Sequence, residues 1–178
     1  MEVFEAVLGR RSVRRYKATN ISDNLVEKLL DAARWAPSGG NTQPWRFVVV
    51  RDKVAKKLLK AVSPGLRTYT NPSIIIVACV DLGVKTNEDE TVKILDMGAA
   101  IQNLLIAAHA LRLGACWVYS TNWRGVKEVV GLSEGNSIKP VSLILVGYPA
   151  EAPKPRARLP IDEVTFREKF GVPWNRSE

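Results

Sequence analysis

The chain has 178 residues, 46% hydrophobic and 25% charged. That suits a single domain over 1–178 with a full core. Its net charge of +8 admits nucleic acid, a membrane surface or an anionic cofactor as partner. No zinc-finger, aromatic RNA-binding or heptad pattern accompanies the charge, and no apolar run approaches the roughly 20 residues that a bilayer needs, so neither nucleic acid nor membrane is expected.

In chain order, residues 2–9 place Val3, Phe4, Val7 and Leu8 at helical spacing. The amphipathic, acidic start is not a signal peptide, and cytoplasm is the expected location. Ser22 is a cap for a second helix, which must stop near Ala36-Pro37, because the residue before proline avoids helical geometry. Ser38 to Asn41 reads as a loop and Trp45 to Val50 as a strand. Residues 52–62 form a short helix, with Lys53, Lys56, Lys57 and Lys60 on a solvated face. The continuous apolar run Ile74 to Val80 is a central strand buried on both sides.

From Thr91 to Leu113 the pattern is helical and apolar most of the way round, which implies burial. A domain of this size has little protein with which to wrap such a helix, so a subunit interface is expected. Gly114 is placed as its left-handed cap. Ala115 to Ser120 is a strand, residues 123–130 a helix closed by Gly131, and Val141 to Tyr148 a strand. A proline-punctuated tail follows, with a short amphipathic segment from Ile161 to Phe170. Helices followed by mixed strands and helices suit an α+β sandwich with a central sheet.

Two clusters stand out at opposite ends: Arg10-Arg11-Ser12-Val13-Arg14 and Lys154-Pro155-Arg156-Ala157-Arg158. Guanidinium groups bind phosphate oxygens in pairs, and a serine hydroxyl adds a donor. Brought together, the clusters would form a phosphate clamp. Taken singly, each reads as surface arginines in weak ion pairs. There is one histidine, His109, and there are two cysteines, Cys79 and Cys116, the latter in apolar runs that predict buried reduced thiols. With so few acid–base and metal-binding residues, no metal site is expected, and a cofactor must supply any chemistry. No G-x-G-x-x-G follows a strand and no G-x-x-x-x-G-K-[ST] occurs, which removes the main support for the common nucleotide folds.

Together these segments resemble the nitroreductase family of FMN-dependent oxidoreductases. Arg10 to Tyr16 looks like its opening signature, and Ala36-Pro37-Ser38-Gly39-Gly40-Asn41-Thr42-Gln43-Pro44-Trp45 its more specific second one. Asp96 to Leu104, Leu113 to Val118, and Gly147-Tyr148-Pro149 leading to Arg156 through Pro160 follow in order. The resemblance implies a three-layer sandwich with a mostly antiparallel central sheet flanked by helices. It also implies a homodimer with FMN at the interface, contacted by both subunits.

By position, Arg10 and Ser12 would hold the phosphate, with Arg156 and Arg158 closing on it, and Arg11 would also bind the cofactor. Arg14 would sit at the pyrimidine edge of the flavin. Pro37, Ser38, Gly39 and Asn41 would come from the other subunit, and backbone at Tyr119 and Ser120 would lie near flavin N5. No side chain is assigned as catalytic.

The implied activity is hydride transfer from NADH or NADPH through FMN to an electron-poor acceptor such as a nitroaromatic or quinone, by a ping-pong mechanism. A flavin-binding protein without turnover, or a specialised member such as a reductive dehalogenase, are the alternatives.

Overall fold

The computed structural model describes residues 1–85, 89–120, 122–133 and 135–174. The chain opens with α1 (Val3–Gly9) and α2 (Asp23–Arg34), then passes through a 3-10 turn at Gly39–Asn41 into β1 (Trp45–Val50). Next come α3 (Lys53–Val62), a second 3-10 turn at Pro64–Leu66, β2 (Ile74–Asp81) and the long α4 (Glu90–Ala110). β3 (Gly114–Val118), α5 (Trp123–Val130), β4 (Ile138–Gly147) and the single turn α6 (Ile161–Val164) complete it.

The sheet has the order β1-β2-β4-β3, and every neighbouring pair is antiparallel. Side chains along a strand alternate between faces, so β2 feeds two cores. Ile74, Ile76, Ala78 and Val80 join α2 and α4 on one face, through Leu29, Ala33, Met97, Ile101 and Leu104. Ile75, Val77 and Cys79 face the other way, toward Leu59 of α3, Leu66 and Val126 of α5. This is the expected three-layer α+β sandwich, and it explains why the central strand reads as unbroken apolar sequence. Both cysteines are buried free thiols, and burial pushes the Cys79 thiol up to about 12.

Local signals fix several boundaries. The Ser22 hydroxyl accepts from the Leu25 amide and starts α2. Asn122 caps α5 through Gly125, and Gly131, with φ of 73°, ends it. The strands run slightly differently from expectation: β3 starts at Gly114 and ends at Val118, and β4 starts three residues early at Ile138.

Gly114 is the clearest correction. It caps no helix. α4 stops at Ala110, and the left-handed residue beyond it is Arg112, with φ of 59°. Gly114 instead begins β3, where an added Cβ would meet the Val13 side chain at 2.8–3.0 Å. The glycine is required by a close approach between segments about a hundred residues apart.

Two of the four α3 lysines are corrected too, while Lys53 and Lys57 are exposed as expected. Lys56 donates to the carbonyl oxygens of Pro72 and Ser73 at 3.0 and 2.7 Å, and Lys60 donates to that of Tyr69 at 2.7 Å. They fasten the approach to β2 rather than merely facing solvent.

α4 is the one helix, among the described residues, long and apolar enough by length and composition to cross a bilayer. That departs from the expectation that no segment comes near such a length. Here it packs on the sheet, with Met97, Ala100, Ile101, Leu104 and Ala108 fully buried.

Candidate functional site

Residues 10–16 are extended and lie beside the sheet. The Val13 amide donates to Ala115 of β3 at 3.0 Å, the Tyr16 amide to Thr70 and the Lys17 amide to Tyr148. Val13 and Tyr16 are buried, and the Tyr16 hydroxyl donates to the Val13 carbonyl oxygen at 2.6 Å. Because side chains alternate along an extended chain, anchoring Val13 inward turns Ser12 and Arg14 outward together.

The tail after β4 returns to this segment. The Ala150 amide donates to Arg15, and the Glu151 carboxylate accepts from the amides of Arg14 and Arg15 at 2.6 and 3.2 Å. The two ends of the chain thereby enclose a cleft of about 440 Å³. Arg10, Arg11, Ser12 and Arg14 line one side and Lys154, Arg156 and Arg158 the other. Val7 and Leu8 of α1 and Gln102 of α4 complete the wall. None of the lining residues is acidic.

Six cations facing one space repel each other unless an anion enters. One of them is already short of a partner: the Arg10 Nε is buried and makes no hydrogen bond. Such a donor carries a desolvation penalty that a phosphate oxygen would relieve. The donor set therefore fits a phosphorylated ligand, and it needs no glycine loop. Not every guanidinium is equally available. Arg11 spends its Nη1 on the carbonyl oxygens of Leu8 and Arg10, at 2.6 and 2.8 Å. Arg14 contacts the Ser12 carbonyl oxygen at 3.3 Å and lies over the Tyr69 ring. Partial burial works against its charge, but nearby Cys116, Tyr69 and Glu151 together raise its pKa.

The other expected positions lie elsewhere. Pro37, Ser38, Gly39 and Asn41 form a tight turn after α2, with Gly40 at φ of 51°, Asn41 at 57° and Gln43 at 50°. Left-handed geometry at two non-glycine residues so close together is costly. The turn is held from within and from outside. The Ser38 hydroxyl accepts from the Gln43 amide at 3.0 Å, and the Asp96 carboxylate accepts from the Gly39 amide at 3.3 Å. Thr42 Oγ1 is buried there without a partner.

Asp96 and the cleft residue Gln102 are six apart on α4, which is about 9 Å along the axis and about 240° around it. The turn and the cleft thus use different faces of one helix. Trp45 is buried in the α2–α4 core, a structural role.

Tyr119 and Ser120 follow β3 and do not line the cleft. Tyr119 is exposed and stands edge-on to Trp123 at 5.4 Å. The Ser120 side chain is turned inward, paired with the Ser63 hydroxyl at 3.0 Å. Only its backbone remains for a ligand. His109 faces α1, close to Gly9.

Sequence reasoning missed Gln102, Glu151 and the Tyr69–Cys116 contact. Gln102 lies inside a recognised motif, so its position was a usable signal. Glu151, an acid beside a basic cluster, gave a weaker one.

Comparison with known proteins is consistent with these features. The model of the nitroreductase family matches residues 7–73 and 67–148. A provisionally named NADH dehydrogenase/NAD(P)H nitroreductase from Methanothermobacter thermautotrophicus is 36% identical over 88% of this chain and 82% of its own length. A protein of the same name from Archaeoglobus fulgidus is 39% identical over 84% of this chain and 87% of its own. Among solved structures, a provisionally named nitroreductase from Desulfovibrio desulfuricans, in complex with FMN, superimposes with a TM-score of 0.86. It is 33% identical, with 96% of this chain and 98% of that one covered.

Proposed function

The chain belongs to the nitroreductase family, and from that premise we propose that it is an FMN-dependent NAD(P)H oxidoreductase working as a homodimer. The observation that carries the reading is the cleft in which Arg10, Ser12, Arg156 and Arg158 converge from both ends of the chain. The related structure solved with FMN supports the same cofactor. When bound, FMN would supply hydride acceptance from NADH or NADPH and delivery to an electron-poor acceptor such as a nitroaromatic or quinone, in ping-pong order through one pocket.

The protein's own part is binding and electrostatics. Arg10 and Ser12, with Arg156 and Arg158 opposite, hold the phosphate by charge-assisted hydrogen bonds. Arg14, a permanent cation, stabilises negative charge that develops at the pyrimidine edge. Arg11 adds charge to the wall while its Nη1 stays tied to backbone. Pro37, Ser38, Gly39 and Asn41 serve the site of the other subunit, and backbone at Tyr119 and Ser120 borders it.

Two features support the dimer. Phe4, Leu8 and Leu95 are 78%, 70% and 68% exposed in one protomer, and apolar groups of that size mark contact surfaces. The turn at Gly39 also sits on the face of α4 away from its own cleft.

The test is anaerobic mixing of the flavin-loaded protein with NADH or NADPH, then with a nitroaromatic or quinone. Bleaching of the oxidised-flavin absorbance and its recovery on adding the acceptor are expected, with parallel lines in a two-substrate kinetic analysis. Protein that takes up no FMN, or flavin that neither reagent bleaches, overturns the reading.

A further inference from the structure

Tyr69 belongs to no recognised motif, yet its ring lies against Arg14. The Arg14 Cζ lies 5.9 Å from the centre of its ring. Tyr69 itself has little freedom. It is 6% exposed, its amide donates to Leu66, and its carbonyl oxygen accepts from Lys60. Its hydroxyl contacts the Cys116 Sγ of β3 at 3.3 Å in the buried core. Burial, first of all, pushes the Tyr69 phenol up to about 12, so the hydroxyl keeps its proton and the ring stays neutral.

Arg14 is pinned at its backbone as well. Its amide is held by Glu151 and its carbonyl oxygen accepts from the Thr70 amide at 3.0 Å, so Tyr69 is the immediate neighbour of the residue that fixes it. A guanidinium over an aromatic face is attracted by the ring quadrupole, more strongly as water is excluded. A long arginine side chain without such a partner would sample many rotamers and lose the field it could apply at one point.

We propose that Tyr69 is a positioning residue for Arg14: its ring, locked to the sheet through Cys116, holds the guanidinium at the cleft before any ligand arrives. The effect on a bound flavin rests on the FMN reading above. The geometry of the pair does not. Cys116 is then the anchor of the ring, which gives a buried lone thiol a task without redox chemistry. A core tyrosine that happens to lie near an arginine would leave the two side chains independent, and a double-mutant cycle distinguishes the two cases.

The experiment has one arm without flavin and one with it. In the apoprotein, NMR of the Arg14 Nε–H, assigned by its disappearance in Arg14→Ala, should show a ring-current shift. That shift is lost in Tyr69→Leu and reduced but still present in Tyr69→Phe, which keeps the ring and loses the hydroxyl contact to Cys116. In the flavin-loaded protein, Tyr69→Leu should reduce the preference for reduced over oxidised FMN by about tenfold, or about 30 mV for a two-electron couple. Tyr69→Phe should fall between the parent and Tyr69→Leu, because the ring face remains but its hydroxyl anchor is gone. The double variant Tyr69→Leu with Arg14→Ala should match Arg14→Ala alone.

Losses that add in the double variant, or an Arg14 signal unmoved by Tyr69→Leu, overturn the proposal. If Tyr69→Leu does not fold, Cys116→Ala replaces it. Freeing the ring should then diminish the Arg14 shift, and an unchanged shift overturns the proposed lock. Failure to bind FMN would instead defeat the functional reading, with the apoprotein arm still deciding the Tyr69–Arg14 pair.

Discussion

The basic cleft and the turn at Gly39 are both polar, motif-bearing segments, but they are built in opposite ways. The cleft is closed within one protomer by two chain ends and leaves donors unspent, including the buried Nε of Arg10. The turn has its backbone tied down: Ser38 holds the Gln43 amide and Asp96 on α4 holds the Gly39 amide, while the buried Thr42 Oγ1 is left unpaired. The first is arranged to receive an anion, the second to present a fixed backbone surface. A charged donor set short of partners gains from an anion, whereas an uncharged turn with its Gly39 and Gln43 amides tied down mainly offers shape. That division fits the proposed site shared between two subunits.

The largest expected effect breaks the comparison at the interface. Burying Phe4 and Leu95 would contribute about 1.5–3 kcal/mol each. Phe4→Lys with Leu95→Lys should therefore weaken a dimer by about a hundredfold or more, read by sedimentation equilibrium. FMN should be lost in parallel if the turn of one subunit serves the cleft of the other. A dimer of unchanged affinity would remove these side chains from the interface.

Arg10→Ala attacks the cleft alone. A hydrogen bond to a charged group contributes about 1.5–3 kcal/mol, so FMN affinity should fall roughly 10- to 100-fold with the dimer intact. Calorimetric titration measures this, and an unchanged affinity would take Arg10 out of the phosphate site.

Gly114→Val tests the strand beneath the cleft. The added side chain meets Val13, and overpacking of this kind costs about 1–3 kcal/mol, visible as a lower denaturant midpoint. Because residues 10–14 would be displaced, FMN affinity should fall as well. A variant as stable as the parent would show that the segment can shift without cost.

The smallest effect sharpens the other side. Asp96→Ala removes the acceptor for the Gly39 amide, worth about 1 kcal/mol. Hydrogen exchange at Gly39 should accelerate several-fold, while Asp96→Asn, which retains an acceptor, should exchange close to the parent. Exchange unaffected by Asp96→Ala would mean that Ser38 and the backbone hold the turn alone.

Much of the fold was legible in the sequence because it depends on neighbours. Ser22 and Gly131 act within one helical turn, and the run from Ile74 announces a strand buried twice over. The motif from Ala36 to Trp45, in order with the clusters at Arg10 and Arg156, carried the family resemblance. Errors fell where a residue's role is set from far away. Gly114 looks like a helix cap, since glycine after a helix usually is one, but Val13 dictates it. Lys56 and Lys60 look like solvated charge, but carbonyl groups near the start of β2 take them up.

By itself the sequence determined the elements, the apolar strand that divides two cores, the opposing basic clusters and the lack of an acid–base set. Only the tertiary structure decided that the clusters face one cleft, that the glycine turn lies on another face of α4, and that Tyr69 lies under Arg14. Periodicity and capping are local and leave their mark on consecutive residues. A contact such as Glu151 with the Arg14 amide, 137 positions apart, is specified by the packing of the whole sheet and leaves no local mark.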